Sequence, residues 1–159
     1  MRKEKISEFT RRVSQCNRSG LVVVVYDIFF AYLEEAESAC AGEDWESYKS
    51  ALRGGERAIN ELIGALDFSQ DMAKDLYRIY VYCKEAIATA IYKRQYDSAG
   101  EAVRLMRKLY ASFVEVAKSD HSQPLMQNAE QVFAGYTYGR NDVTETYQDI
   151  NNQKRGFLA

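Results

Sequence analysis

The sequence predicts an all-α protein: an antiparallel up-and-down four-helix bundle with a short N-terminal helix or arm and a C-terminal extension. Three observations carry this. Only one proline, Pro124, occurs in the 159 residues, so helix can run uninterrupted through everything before it. Apolar residues recur at three-to-four spacing over four long stretches between Ser19 and Lys118. The links between those stretches are short, which makes successive helices antiparallel neighbours.

At the start, Ile6, Phe9 and Val13 share a helical spacing, with Lys3, Lys5, Arg11 and Arg12 on the other face. Residues 1–18 are therefore either a short amphipathic helix or a loose arm. Ser19 is the expected N-cap of the first long helix, which runs to about Ala41 and stops at Gly42. Val22 to Val25 is β-branched and, taken alone, favours a strand. It continues without a turn signal into Asp27-Ile-Phe-Phe-Ala-Tyr-Leu-Glu-Glu-Ala, a pattern too long for a strand, so helix is the reading.

Asp44 caps a helix from Trp45 to Leu66, with Tyr48, Leu52, Ile59, Leu62, Ile63 and Leu66 at helical spacing. Gly54 and Gly55 inside it each cost about 1 kcal/mol relative to alanine and are expected to mark a bend or a close helix crossing. Ser69 with Met72 gives a partial N-cap signature for a helix from Gln70 to about Arg94. Asp97 caps the last long helix, which passes through Val103, Met106, Leu109, Tyr110, Phe113 and Val116 to about Lys118. The bundle so read occupies residues 19–120. In the extension, 121–159, Pro124 opens an expected short helix through Phe133, and Gly135 to Ala159 is read as a mobile tail.

Hydrophobic residues at 47% and charged residues at 28% are a globular balance, and 21 basic against 23 acidic side chains leave a net charge of -2. That gives no bulk attraction to nucleic acid or to an anionic membrane. The basic start adjoins no apolar stretch of the kind a signal peptide needs, and the apolar run Leu21 to Phe30 is broken by Asp27 and is about half the length of a membrane span. The expected location is the cytoplasm, with no stable membrane association. Cys16, Cys40 and Cys83 stand at wide, irregular spacings that suit neither a disulfide framework nor a metal cluster. A di-metal site in a bundle needs Glu-x-x-His pairs, and the chain has one histidine, His121. No phosphate-cradling glycine motif occurs, so neither metal, nor cofactor, nor catalytic residue is assigned.

What stands out is apolar surface in excess of what a bundle helix needs. From Leu21 to Leu33 the only charge is Asp27, and from Leu76 to Cys83 it is Arg78. Twelve tyrosines, among them Tyr77, Tyr80, Tyr82, Tyr92, Tyr96 and Tyr110, add large rings with a polar tip, a residue type enriched in protein interfaces. The expected task is to hold another protein.

These residues carry a resemblance. Ser19-Gly20-Leu21 leading into Tyr26-Asp27, Ala58-Ile59-Asn60-Glu61-Leu62 with Leu66-Asp67, Met72-Ala73 with Leu76-Tyr77 and Tyr80, and Asp97 with Ala102-Val103 and Leu109 stand in the order and spacing of one family over about Cys16 to Ala117. In them the chain resembles the FliS family of flagellar secretion chaperones. It departs in lacking the proline of the family's opening motif and its Asn-Ala-Tyr start, and in having Phe113 where tryptophan is frequent. The resemblance implies a chaperone without ATP that captures the apolar C-terminal segment of flagellin in the cytoplasm and blocks premature polymerisation, with the flagellar export gate as a further partner. It makes Tyr26, Leu76, Tyr77, Ile79 and Tyr80 candidates for the binding groove.

In the extension, Leu125, Met126, Ala129, Val132 and Phe133 fall on one helical face, so a helix there either guards the groove when flagellin is absent or extends the core permanently. Two other classes remain open at this point. One is a nucleic-acid-binding regulator using Lys3 to Arg18 as a basic arm, and the other is a helical enzyme with a buried polar site.

Overall fold

Short polar side chains cap the starts of two of the long helices and not of the other two. In a computed structural model, which describes residues 3–126, five helices follow one another: α1 (Lys3–Gln15), α2 (Arg18–Ala41), α3 (Trp45–Gly64), α4 (Asp71–Lys93) and α5 (Asp97–Ser119). Val22 to Val25 lie within α2, and no strand occurs among the described residues. The N-cap of α2 is Asn17 rather than Ser19: its backbone is extended and its side chain accepts the Gly20 amide at 2.8 Å. Ser19 falls in the first turn, where its hydroxyl donates to the Asp120 carboxylate.

At the other end of α2, Gly42 holds the cap position, but the left-handed residue is Glu43, at φ 56. The amides of Glu43 and Asp44 donate back to the carbonyls of Cys40 and Ala39, a Schellman closure. Asp44 caps α3 as expected, accepting the Ser47 amide at 3.1 Å, and α3 ends at Gly64, short of Leu66. Ser69 does not cap α4. Gln70 holds that position without a side-chain bond, and the Ser69 amide donates to the Asp67 carboxylate at 3.0 Å. Asp97 is the first residue of α5, with Tyr96 before it in the cap position.

Neighbours in sequence pack side by side, and α2 also packs on α5. Tyr26, early in α2, meets the rings of Tyr110 and Phe113, late in α5, with centroids 5.9 and 5.5 Å apart. Tyr48, early in α3, places its hydroxyl 3.1 Å from the Ala90 carbonyl and 3.0 Å from that of Gln95, at the end of α4. Such pairings of early with late turns are those of antiparallel helices. The shared core is built on Tyr26, Phe29, Leu33, Leu52, Ile59, Ile87 and Met106. α1 lies on α2, where Arg12 pairs with Asp27 at 2.5 Å and Lys5 with Glu34 at 3.5 Å. The one charge in the apolar run of α2 is thus the tether of α1.

After α5 the chain is not helical through Met126, so the helix expected from Pro124 does not begin there. Its backbone is taken up by other partners: the Asn17 side-chain amide donates to the Asp120 carbonyl at 2.9 Å, and the Leu125 amide to the Cys16 carbonyl at 3.1 Å. Leu125 and Met126 are exposed, whereas Ala129, Val132 and Phe133 lie outside the described residues.

Gly54 and Gly55 mark a close crossing. A Cβ on Gly54 would stand 2.5 Å from the Tyr32 ring, and one on Gly55 would stand 2.5 Å from a methyl of Leu33, itself buried in the core. Two magnitudes compete in Gly55→Ala: a gain of about 1 kcal/mol from helix propensity against an overpacking cost of about 1–3 kcal/mol. Leu33 is 1% exposed and any shift of its methyl must displace the core around it, so the variant is expected to lower the urea midpoint. An increase in stability, as propensity alone dictates, would show that the crossing is looser than described.

Candidate functional site

At one end of the bundle α2 and α4 begin while α3 and α5 finish, and the link from Ala65 to Gln70 bridges the gap. Side chains do not close this end. A cavity of about 190 Å³ remains, walled by Val22, Leu62, Leu66, Met72, Leu76 and Phe113 and lined beneath by Tyr80. Asp67 and Gln70 are the charged and amide residues of its lining. Around it, Phe68, Met72 and Tyr77 are 53%, 70% and 42% exposed, and the rings of Phe68 and Tyr77 meet edge-on at 5.8 Å. Large apolar groups clustered in water around an apolar opening are uncommon on a folded surface and make this end the candidate site.

The residues expected at a groove separate here. Leu76 is a wall, Tyr77 stands at the rim, and Tyr80 lines the cavity from the core. Ile79 is half-buried against the core and does not line the opening. Tyr26 is 0% exposed, its ring packed by Phe30, Tyr110 and Phe113, so it is a core residue rather than a surface one. Leu62, Leu66, Phe68, Met72 and Phe113 were not among the residues expected at the groove. A usable signal existed for two of them: Phe68 in the link and Met72 in the first turn of α4 flank the polar Ser69, Gln70 and Asp71, where solvent-facing residues are the norm.

The sequence model of a known family, described as flagellar protein FliS, matches residues 3–120. The chain belongs to the FliS family. The match runs from α1 to the end of α5 and contains every wall of the cavity. No curated protein matches the chain. FliS proteins are flagellar secretion chaperones, so the role established for this chain at that level is flagellar export chaperone.

Titratable groups inside this FliS bundle are held away from reactivity. Burial pushes the Cys83 thiol up to about 11, and burial with mutual hydrogen bonding pushes the Tyr26 hydroxyl far above its usual range. Activated nucleophiles require the opposite shift. Among the described residues no three His, Cys, Asp or Glu side chains come together as a metal site, and His121 lies in the exposed segment after α5. No helix of the described residues is long and apolar enough to cross a membrane. A second cleft, of about 360 Å³, is walled by Tyr32, Glu35, Glu46, Ser47, Ser50 and Arg57, a mixed-charge surface between α2 and α3. On the proposed basic arm, Arg12 and Lys5 are engaged with acids of α2.

Tyr26 and Tyr80 share a buried hydrogen bond, hydroxyl to hydroxyl, at 2.8 Å. Tyr80→Phe strands the Tyr26 hydroxyl and is expected to cost about 1–3 kcal/mol, whereas Tyr26→Phe with Tyr80→Phe removes both polar groups and recovers most of it. A double variant less stable than either single one would contradict this. The same burial makes the fold sensitive to base. Tyr48 and Tyr96 are pushed up to about 12, so they stay protonated in the fold at a pH where the unfolded chain already ionises. Stability is therefore complete below the ordinary tyrosine value of 10.0 and declines as pH rises through about 12. Denaturant midpoints measured from pH 8 upward check the sign.

Proposed function

We propose that the chain is an ATP-independent export chaperone that binds the C-terminal helical segment of flagellin in the cytoplasm and prevents its polymerisation before flagellar type III secretion. The observation that carries this is the open apolar end: a bundle with a filled core keeps Phe68, Met72 and Tyr77 in solvent around a cavity it does not close. Covering such a surface releases about 25 cal/mol per Å² of apolar area, less the cost of ordering a disordered segment. An amphipathic segment laid with its apolar stripe over α4 and the link from Ala65 to Gln70 is the ligand this geometry suits. Family membership supports flagellin as its source and the flagellar export gate as the next partner.

Calorimetric titration of the full chain with the C-terminal segment of its own organism's flagellin is expected to show binding with a negative heat-capacity change. Met72→Glu alters a side chain outside the core and is expected to leave helicity unchanged. Loss of one buried methionine contact, about 1.5–3 kcal/mol, weakens binding about ten- to a hundredfold. Absence of binding by the parent chain would refute the assignment, and unchanged affinity in Met72→Glu would move the site elsewhere.

A further inference from the structure

The cavity is apolar on all sides except towards the link, and that asymmetry specifies its ligand further. Asp67 lines the cavity from the link between α3 and α4. One of its carboxylate oxygens accepts the Ser69 amide at 3.0 Å. Hydrogen bonds from the Ser69 side chain and amide hold the carboxyl below the usual carboxylate range, so it carries full charge at neutral pH. None of the ion pairs formed among the described residues uses Asp67. Asp71, in the first turn of α4, adds a second exposed carboxylate four residues away. The basic residues nearest in sequence are placed elsewhere: Lys74 is two positions from Leu76, on the opposite side of α4, Arg57 lines the cleft between α2 and α3, and Arg78 pairs with Asp75 at 3.4 Å. An apolar hole with one uncompensated negative edge selects its ligand by charge as well as by shape.

We propose that this groove recognises a two-residue pattern in its partner: a leucine, methionine or phenylalanine seated between Leu62, Leu66, Met72 and Leu76, with a lysine or arginine within one helical turn paired to Asp67. The pattern rests on the export-chaperone reading and specifies which part of a bound segment is gripped. At about 190 Å³ the cavity takes one large side chain rather than a helix, so the remainder of the segment lies on the rim. The apolar anchor supplies affinity. The exposed ion pair supplies selection, worth about two- to fivefold, and Asp67 with Asp71 turns away segments whose anchor is followed by an acid.

The test uses the full chain labelled with nitrogen-15 and, as probe, a blocked alanine-rich helical peptide carrying one leucine and an arginine one turn later. Amide shifts at Leu66, Met72 and Leu76 are expected to saturate with this peptide. They should weaken about two- to fivefold when its arginine becomes glutamate, and vanish when its leucine becomes alanine. Asp67→Asn retains the acceptor for Ser69 and is expected to reduce the preference between arginine and glutamate to what Asp71 alone supplies, while Asp67→Asn with Asp71→Asn abolishes it. Ala65→Leu places a side chain into the cavity from an exposed position and is expected to block the peptide without loss of helicity. Equal binding of the arginine and glutamate peptides, shifts confined to other residues, or concentration-dependent shifts at the cavity without peptide, the mark of a second copy occupying it, would each overturn the proposal. Flagellin separates the two readings. A C-terminal segment that binds parent and Ala65→Leu chains equally leaves the chaperone assignment standing and removes this pocket from it. A segment that fails to bind the parent removes the assignment, and the pocket's preference is still decided by the host peptide.

Discussion

Helix α2 is apolar on nearly every side, and a bundle of four helices offers any one of them two close neighbours and a share of the centre. Covering α2 shapes the rest of the molecule. On one side α3 comes close enough for Tyr32 and Leu33 to lie over the bare backbone of Gly54 and Gly55. On another, Tyr110 and Phe113 of α5 pack on Tyr26, with Phe30 against Tyr110. The stretch bearing Asp27 receives α1, drawn there by Arg12, so even the charge that interrupts the apolar run becomes a point of attachment.

The inner face of α2 poses a second problem, because Tyr26 takes a hydroxyl into the centre. It is met by a matching tyrosine on α4, whose hydroxyl lies 2.8 Å from that of Tyr26. Tyr80 is fixed by this bond at 1% exposure and lines the cavity from beneath. The opening at the end of the bundle is therefore bordered by a rigid core residue on its inner side and by exposed Phe68 and Met72 on its outer side. Rigid inside and exposed outside is an arrangement that accepts a ligand with little reorganisation of the fold.

Much of this was legible in the sequence, for identifiable reasons. Helical spacing outweighed the β-branched run at Val22 to Val25 because the pattern outlasted any strand, and α2 is helical throughout. The paired glycines in a helical stretch pointed to a bend or a close crossing, and the approach of Tyr32 and Leu33 to their backbone makes it a crossing. Cap residues were harder. Asn17 and Ser19 both have the right chemistry, and the choice between them depends on Ser19 being engaged by Asp120, 101 residues away in sequence. Glu43 in the left-handed region beside Gly42 shows a helix end set by its Schellman bonds rather than by the glycine. The site was legible only on α4. Periodicity marks Leu76, Tyr77 and Tyr80 as apolar, but a tyrosine in a core and one at a rim look alike in a sequence. That left Tyr26 among the surface candidates and missed the contribution of Leu62, Leu66 and Phe113, which meet only through the antiparallel closure of the bundle.

The central claim is that the apolar stretch of α2 from Val24 to Leu33 is covered by its own chain, with no residue of it exposed, while the end of the bundle from Leu62 to Tyr77 is the surface offered to a partner. Amide hydrogen exchange of the full chain, followed residue by residue with and without the C-terminal segment of flagellin, tests it most directly. In the free protein the amides of α2 from Val24 to Ala36 are expected to exchange most slowly and to be unchanged by the ligand, with new protection appearing between Leu62 and Tyr77. Fast exchange along α2 in the free protein, or ligand-induced protection concentrated there and absent from the end of the bundle, would contradict the account.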